Sequence, residues 1–354
     1  MKKNNHCKNA LKIILFFIIQ FPAFIQLSYI SRKNIEPMTK IKAGFYALER
    51  NTLDVCFIGT SGTYSAFCPM EAWKEYGFTS YNFCTNDMGE DTYIYAIKEI
   101  LKTQKPQVLV VDVHPFVMHH RVADWTSKED EFMVRYNTDG YRYSLNRCAL
   151  IFNVVPRSFN KISIYFDILK YAGGSFDYSL LNFALKNPQK GYSNILWEEG
   201  HPATQTDEIK VLEPDNEKDL TELIEYCKTK NIPVLFFYYP YGEARTDGIA
   251  YLNYIQQKVT QAGLPFMNCE EFLEEFNLDY MQDFWGNTHW NIYGAEKITK
   301  VVSKRFMQMY HFKDKRTDAK YADWNEDIAA WDVYASSQKE FIDNDKAEKL
   351  SQIQ

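Results

Sequence analysis

Two hydrophobic rhythms alternate along the chain after about residue 50. Short apolar runs stand at 54–59 (DVCFIG), 80–84 (SYNFC), 108–113 (VLVVDV), 233–239 and 265–268. Runs of this length, rich in β-branched and aromatic residues, are the mark of strands covered on both faces. Between and after them, apolar residues return every three or four positions over 91–103, 216–230, 248–262 and 293–309. Another helix opens at Pro69, since proline is favoured at the first helical position. Strands that alternate with helices form a parallel sheet, so the pattern predicts an α/β fold.

Between Pro115 and Pro214 the rhythm breaks into an aromatic, irregular stretch with helices such as 159–171 and 178–186. Residues 116–215 therefore read as an insertion between the third and fourth core strands. Loops at the carboxyl ends of parallel strands build ligand sites, so the insertion is expected to roof the site. Its aromatic residues, among them Trp125, Tyr136, Tyr141, Tyr143 and Trp197, follow no regular spacing and read as core packing rather than a sugar-stacking platform. After the last helix, Trp324 and Trp331 stand at helical spacing, which predicts an amphipathic helix docked on the domain, with 331–354 a helical or frayed tail.

The N-terminus follows a third pattern. Lys2, Lys3, Lys8 and Lys12 precede an uncharged run, 13–30, dominated by Ile, Leu and Phe. As a helix that run reaches about 27 Å, against a hydrocarbon core of ~30 Å. Residues 1–30 read as a single-pass membrane anchor and 31–50 as a linker. A cleaved signal peptide is the alternative, but no small-x-small pattern follows the apolar run. Arg32, Lys33, Lys40 and Lys42 nearly balance the first cluster, so flanking charge does not set the orientation.

Composition narrows the function. With 46% hydrophobic and 16% aromatic residues in 354, the chain can bury a substantial core. Residues 51–330 read as one α/β domain, its core 51–115 and 216–310 interrupted by the insertion. A net charge of -6 and a pI of about 5.7 argue against nucleic acid as a partner. Cys7, Cys56, Cys68, Cys84, Cys148, Cys227 and Cys269 form no CxxC pair and read as buried, unpaired thiols.

Candidate chemistry gathers at the first strand and before the last helix. Ser61, in the turn Gly59-Thr60-Ser61-Gly62, stands at the sheet's carboxyl edge, where the next helix turns its N–H groups toward a developing oxyanion. A hydroxyl needs a base to take its proton, and His289 is the best placed. Alone, a turn serine is usually a helix cap and a histidine before a helix is structural; their joint occurrence points to a nucleophile and its base. His114, at the end of the third strand, is a further site residue. Asp112, His114, His119 and His120 show no familiar ligand spacing, so no metal is expected. The turn lacks the lysine of a nucleotide loop. The chemistry calls for no organic cofactor.

Gly59-Thr60-Ser61 after the first strand, Asn82 ending the second, and the late segment His289-Trp290-Asn291-x-x-Gly294-Ala295 together resemble the SGNH/GDSL hydrolase superfamily. The chain is most similar to its bacterial membrane-anchored branch, which includes the D-alanyl transfer protein of lipoteichoic acid synthesis and alginate O-acetyltransferases. The likeness covers about 51–115 and 216–330, including Asp314-x-Arg316-x-Asp318-x-x-Tyr321-x-x-Trp324.

The resemblance implies a three-layer α/β/α, flavodoxin-like fold with Ser61 as nucleophile and His289 as general base. It implies an esterase or O-acyltransferase acting on a surface glycan or teichoic acid, an extracytoplasmic catalytic domain and, for a transferase, an integral membrane acyl-donor protein as partner. Where the family places an aspartate two or three residues before the histidine, this chain has Asn287 and Gly286, leaving Asp283 as the available carboxylate. The asparagine expected after the third strand is replaced by His114-Pro115. Oxyanion and substrate contacts then fall to the Ser61 N–H, Gly62, Asn82, Asn86, Gly89, His114 and Asn291. A catalytically degenerate binding or assembly protein is the alternative.

Overall fold

The computed structural model describes residues 2–32, 37–171, 173–194, 196–243 and 245–351. Its centre is a parallel sheet of β1 (Val55–Ile58), β2 (Ser80–Asn82), β3 (Val108–Asp112), β4 (Val234–Tyr238) and β5 (Phe266–Asn268), in the order β2-β1-β3-β4-β5. The central strands are buried at every position, which is why their sequences run apolar without alternation. The chain leaves β1 toward one edge and passes β3, β4 and β5 toward the other, so the order reverses between β1 and β3. Open α/β sheets place their ligands at the carboxyl side of that reversal.

Helices cover both faces. The chain order runs through α1 (Lys2–Ile30), α2 (Met38–Ala47), α3 (Ser61–Ala66), α4 (Pro69–Tyr76) and α5 (Tyr93–Ile100). The insertion carries α6 (His114–Met118), α7 (Glu131–Thr138), α8 (Leu145–Val154), α9 (Lys161–Tyr165) and α10 (Ile168–Tyr171), then come α11 (Pro214–Thr229) and α12 (Gly248–Gln261). A short antiparallel hairpin, β6 (Phe284–Trp285) and β7 (His289–Trp290), precedes α13 (Ile292–Tyr310) and α14 (Ala322–Ser351). On one face α4 and α13 pack together; α5 and α11 meet on the other. The α/β expectation thus holds, with five parallel strands between helices.

The insertion differs from a roof. Among its described residues only the first turn, with Met118 and His120, lines the cleft beside Ser61. The bodies of α8, α9 and α10 pack against α5, against one another and against α1, and the 3-10 turn Tyr178–Phe183 lies along α1. The expected helix 159–171 is two short helices broken at Phe166, because Asp167 turns inward to Arg32 at 2.7 Å and Arg147 at 3.1 Å, all three buried.

Residues expected to be a linker instead hold α2. Its Ile41 and Phe45 fall on one face, Phe45 meeting the Phe83 and Tyr81 rings. Lys42 is buried on the same helix, donating to the Phe83 carbonyl at 3.0 Å over the Phe83 ring. The helix runs against the strand direction. Met38, at its start, takes the Thr85 hydroxyl at 2.8 Å beyond the carboxyl end of β2, whereas Tyr46, near its finish, donates to Glu99.

The second half of the expected anchor is packed in protein. Phe24 meets Phe166, Gln26 bonds Asn182, Tyr29 stacks on Phe183, and Ser28 through Arg32 are buried. Among the described residues no helix is long and apolar enough to cross a membrane. Lys33 and the side chains of Lys2, Lys3, Cys7 and Lys8 lie outside the described residues. At the other end, α14 stays docked well past Trp331: Ile342 is buried, and Lys349 donates to the Trp197 carbonyl. The cysteines are unpaired among the described residues, five of them buried and Cys148 partly so.

Candidate active site

Thr60 follows β1 by two residues and caps α3, its hydroxyl accepting the Gly62 N–H at 3.2 Å. That cap sets Ser61 as the first helical residue, its side chain at the sheet's carboxyl edge. No described residue accepts from the Ser61 N–H. His289 arrives from the opposite end of the domain on the β6–β7 hairpin. Asn291 closes that hairpin by donating to the Gln282 and Phe284 carbonyls, and its Oδ1 caps α13 at Tyr293 N–H. Across the two segments, Ser61 Oγ lies 2.8 Å from His289 Nε2.

Gly62 permits this approach. A methyl group there would stand 2.9 Å from the Thr288 carbonyl oxygen and 2.8 Å from the Tyr241 ring. Only a residue without Cβ lets α3 lie against the histidine hairpin.

The other ring nitrogen, Nδ1, lies 2.9 Å from Thr288 Oγ1. For Nε2 to receive the serine proton, Nδ1 carries hydrogen and donates it to that hydroxyl. No carboxylate offsets the burial of the ring, which lowers the His289 pKa to about 4. The neutral, proton-accepting form therefore prevails at neutral pH. Against an ordinary value near 6.5, this disfavours the imidazolium by roughly 3 kcal/mol.

His114 forms the opposing wall. Its ring stacks on Tyr241 with centroids 4.0 Å apart, and its backbone N–H donates to Asp112 at 3.0 Å. Asp112 also accepts from Tyr241 OH at 2.5 Å and Thr63 Oγ1 at 2.7 Å. Burial raises the Asp112 pKa to about 6 and these three donors oppose the rise. Burial, then the neighbouring His120 and His289, hold His114 well below its ordinary pKa. The ring is neutral, buried, and its Nε2 has no partner among the described residues. The ring lines the cleft beside Ser61.

The cleft encloses about 110 Å³ between Thr60, Ser61, Gly62, Asp87, His114, Met118, His120, Thr288 and His289. Burial raises the Asp87 pKa and lowers that of His120, each opposed by the other's charge. Larger cavities lie elsewhere, among them ones of about 610 Å³ over α12 and 670 Å³ between α5 and α11, and neither of these holds a serine–histidine pair.

Ser61, Gly62, His114 and His289 are thus brought together, while the other expected site residues serve elsewhere. Asp283 does not reach Nδ1: it accepts from the Asp279 N–H and from Lys297, both at 2.7 Å, and fastens the hairpin loop to α13. Asn287 is taken by the His201 N–H and the Glu243 carbonyl. Asn82 is buried and donates to the Phe67 carbonyl. Asn86 accepts from Tyr64 OH, the Gly89 N–H is spent on Asn137, and Asn291 is a helix cap. His119 turns from the cleft to the edge of Tyr251, and among the described residues no cluster of His, Cys, Asp or Glu is placed to hold a metal ion.

Thr288, Asp87 and Met118 escaped the sequence reading as site residues, and His120 was weighed there only as a metal ligand. Thr288 had one usable signal, its adjacency to His289. Asp87 and the His119–His120 step rest on left-handed backbone, at φ 41° for Asp87 and 55° for His119, which no periodicity announces. Comparison with protein-family models, curated proteins and solved structures finds no match to this chain.

Proposed function

We propose that the protein is an SGNH-type serine esterase or O-acyltransferase, held at the cell membrane by its N-terminal helix with the α/β domain outside the cytoplasm, and acting on a surface polysaccharide or teichoic acid. The 2.8 Å contact of Ser61 with His289 carries this reading, because the two residues are joined only by the fold. Ser61 Oγ attacks the acyl carbonyl while His289 Nε2 takes its proton. The oxyanion is met by the Ser61 N–H and by a ring N–H of neutral His114, the latter in place of the missing asparagine. His289 then gives its proton to the leaving oxygen, and the acyl-enzyme passes to water or to a sugar hydroxyl. A cleft of about 110 Å³, a few water volumes, suits an acyl group of few heavy atoms. For transfer, an integral membrane protein supplies the acyl donor. A metal or organic cofactor has no part in this scheme.

The neutral Thr288 beside Nδ1 favours a second reading, a degenerate binding or assembly protein of surface-polymer synthesis. Incubating the full chain in detergent with a fluorophosphonate and mapping the adduct separates the two. Ser61 labelled in the native protein but not in His289→Ala supports the enzyme. A folded protein that takes no label at Ser61 leaves the binding role.

A further inference from the structure

The uncharged run at the N-terminus is too short, once folded, to do what its sequence suggests. Residues from Phe24 onward pack against Phe166, Asn182 and Phe183, so only the helix up to Ala23 projects from the domain. Leu11, Leu15, Phe16, Ile18 and Phe21 are exposed along that part. From Leu11 to Ala23 a helix reaches about 20 Å, some 10 Å less than a hydrocarbon core of ~30 Å.

Apolar side chains are exposed on the elements around the point where α1 leaves the domain. Ile162 on α9 is 59% exposed, Leu169 on α10 58%, and Tyr178 and Leu181 in the 3-10 turn 68% and 47%. Both α10 and the 3-10 turn touch α1, and α9 touches α10. Phe176 is exposed between them. Arg157 and Lys161 add two neighbouring cations, and Lys170 a third that reaches Glu131. The intervening Asp177 is committed to the N–H and hydroxyl of Ser179.

We infer that Ile162, Leu169, Phe176, Tyr178 and Leu181 form a collar that enters the interface of an anionic phospholipid bilayer beside α1. This rests on the membrane reading proposed above and extends it from a tether to a seated domain. An apolar surface of this kind settles about 5–10 Å into the headgroup–acyl boundary, which makes up the missing length of α1. Tyrosine suits that depth, its ring in the acyl zone and its hydroxyl among headgroups. Exposed Arg157 pairs with lipid phosphates, while Lys161, which donates to the Phe152 carbonyl, and Lys170, paired with Glu131, add positive potential beside it.

The test uses the full chain in nanodiscs of phosphatidylcholine and phosphatidylglycerol, doped with a phosphatidylcholine that carries a diazirine in its acyl chain. After irradiation, adducts are mapped by peptide mass spectrometry. Adducts on 162–181 as well as on 11–23 support the collar. Leu169→Glu with Leu181→Glu then lowers the 162–181 adducts ~5-fold and leaves those on 11–23, since each charge opposes immersion. Those positions are exposed, and a melting curve matching the wild type keeps the comparison fair. Adducts confined to 11–23 overturn the collar while preserving the tether; adducts on neither segment overturn both.

Discussion

Thr288 Oγ1 stands 2.9 Å from His289 Nδ1, the place that a carboxylate holds in Ser-His-Asp enzymes. A hydroxyl there orients the ring and can accept from Nδ1–H without bringing a charge, but being donor and acceptor both it does not by itself select the tautomer. Orientation and electrostatic support, fused in one aspartate elsewhere, are separated here, and the separation makes His289 a correctly aimed but weak base.

Removing the hydroxyl should therefore cost little by triad standards. Thr288→Val is expected to slow fluorophosphonate labelling of Ser61 by ~10-fold, the worth of one hydrogen bond, against ~10⁴ for an orienting aspartate. Thr288→Ser should retain most of the rate. Asp283→Asn should lower the melting temperature by freeing Lys297 yet leave labelling per folded molecule within about twofold.

The pH profile follows from the burial of His289. The ring must be neutral to accept the serine proton, and its pKa lies at about 4. Labelling should rise through pH 4 and lie flat from pH 5.5 to 8, whereas a rise centred near 6.5 would contradict the burial argument.

Stability should move in the same acid window. His114 and His289 are both held below the ordinary histidine pKa, so the unfolded chain binds protons first as pH falls below about 6.5. More protons on the unfolded state means stability lost on acidification, at up to ~1.4 kcal/mol per pH unit for each group until its folded pKa is passed. Asp112, Asp91 and Glu270, which burial holds above the ordinary carboxylate range, shift stability the other way over this window. The histidine share is therefore read as the difference between wild type and His114→Gln in urea unfolding at pH 7 and 5, with the variant losing less.

Gly62→Ala tests the closeness of the two segments. The added methyl would press on the Thr288 carbonyl and the Tyr241 ring, forcing Ser61 and His289 apart. A displacement near 1 Å should cost ~10²-fold in labelling with the fold intact by circular dichroism.

His114→Leu keeps the wall's bulk and removes the donor. Acylation by an activated ester should fall ~10²- to 10³-fold with little change in KM, the signature of an interaction made in the transition state. An equal loss in KM and kcat/KM would assign His114 to substrate binding instead.

Much of this arrangement was legible beforehand because it depends on near neighbours in sequence. Apolar runs such as Val108–Asp112 announce buried strands, and a serine after β1 with a histidine before the last helix meets at one edge by topology. What escaped depends on packing between distant segments. Asp283 looked like the orienter because it is the nearest upstream carboxylate, but the turn through Gly286, at φ 61°, leaves it facing Lys297. Asn82, Asn86 and Gly89 stand at the right strand end, yet Phe67, Tyr64 and Asn137 claim their polar groups. The polar stretch before residue 50 hid α2, because its buried Lys42 reads as surface until the Phe83 carbonyl that receives it is in view.

That helix also decides where the chain arrives. The start of α2 lies beside Thr85, and further along it Ala43 and Tyr46 share one apolar cluster with Tyr29 of α1 and Phe183, so α1 is packed against the domain through the same helix that reaches the site's edge. On the membrane reading proposed above, such a tether would hold Ser61 within one domain's reach of the plane that carries it. Encounter with an acceptor fixed in the same plane becomes a search in two dimensions, and affinity for the free acceptor can then be weak, because confinement supplies the local concentration.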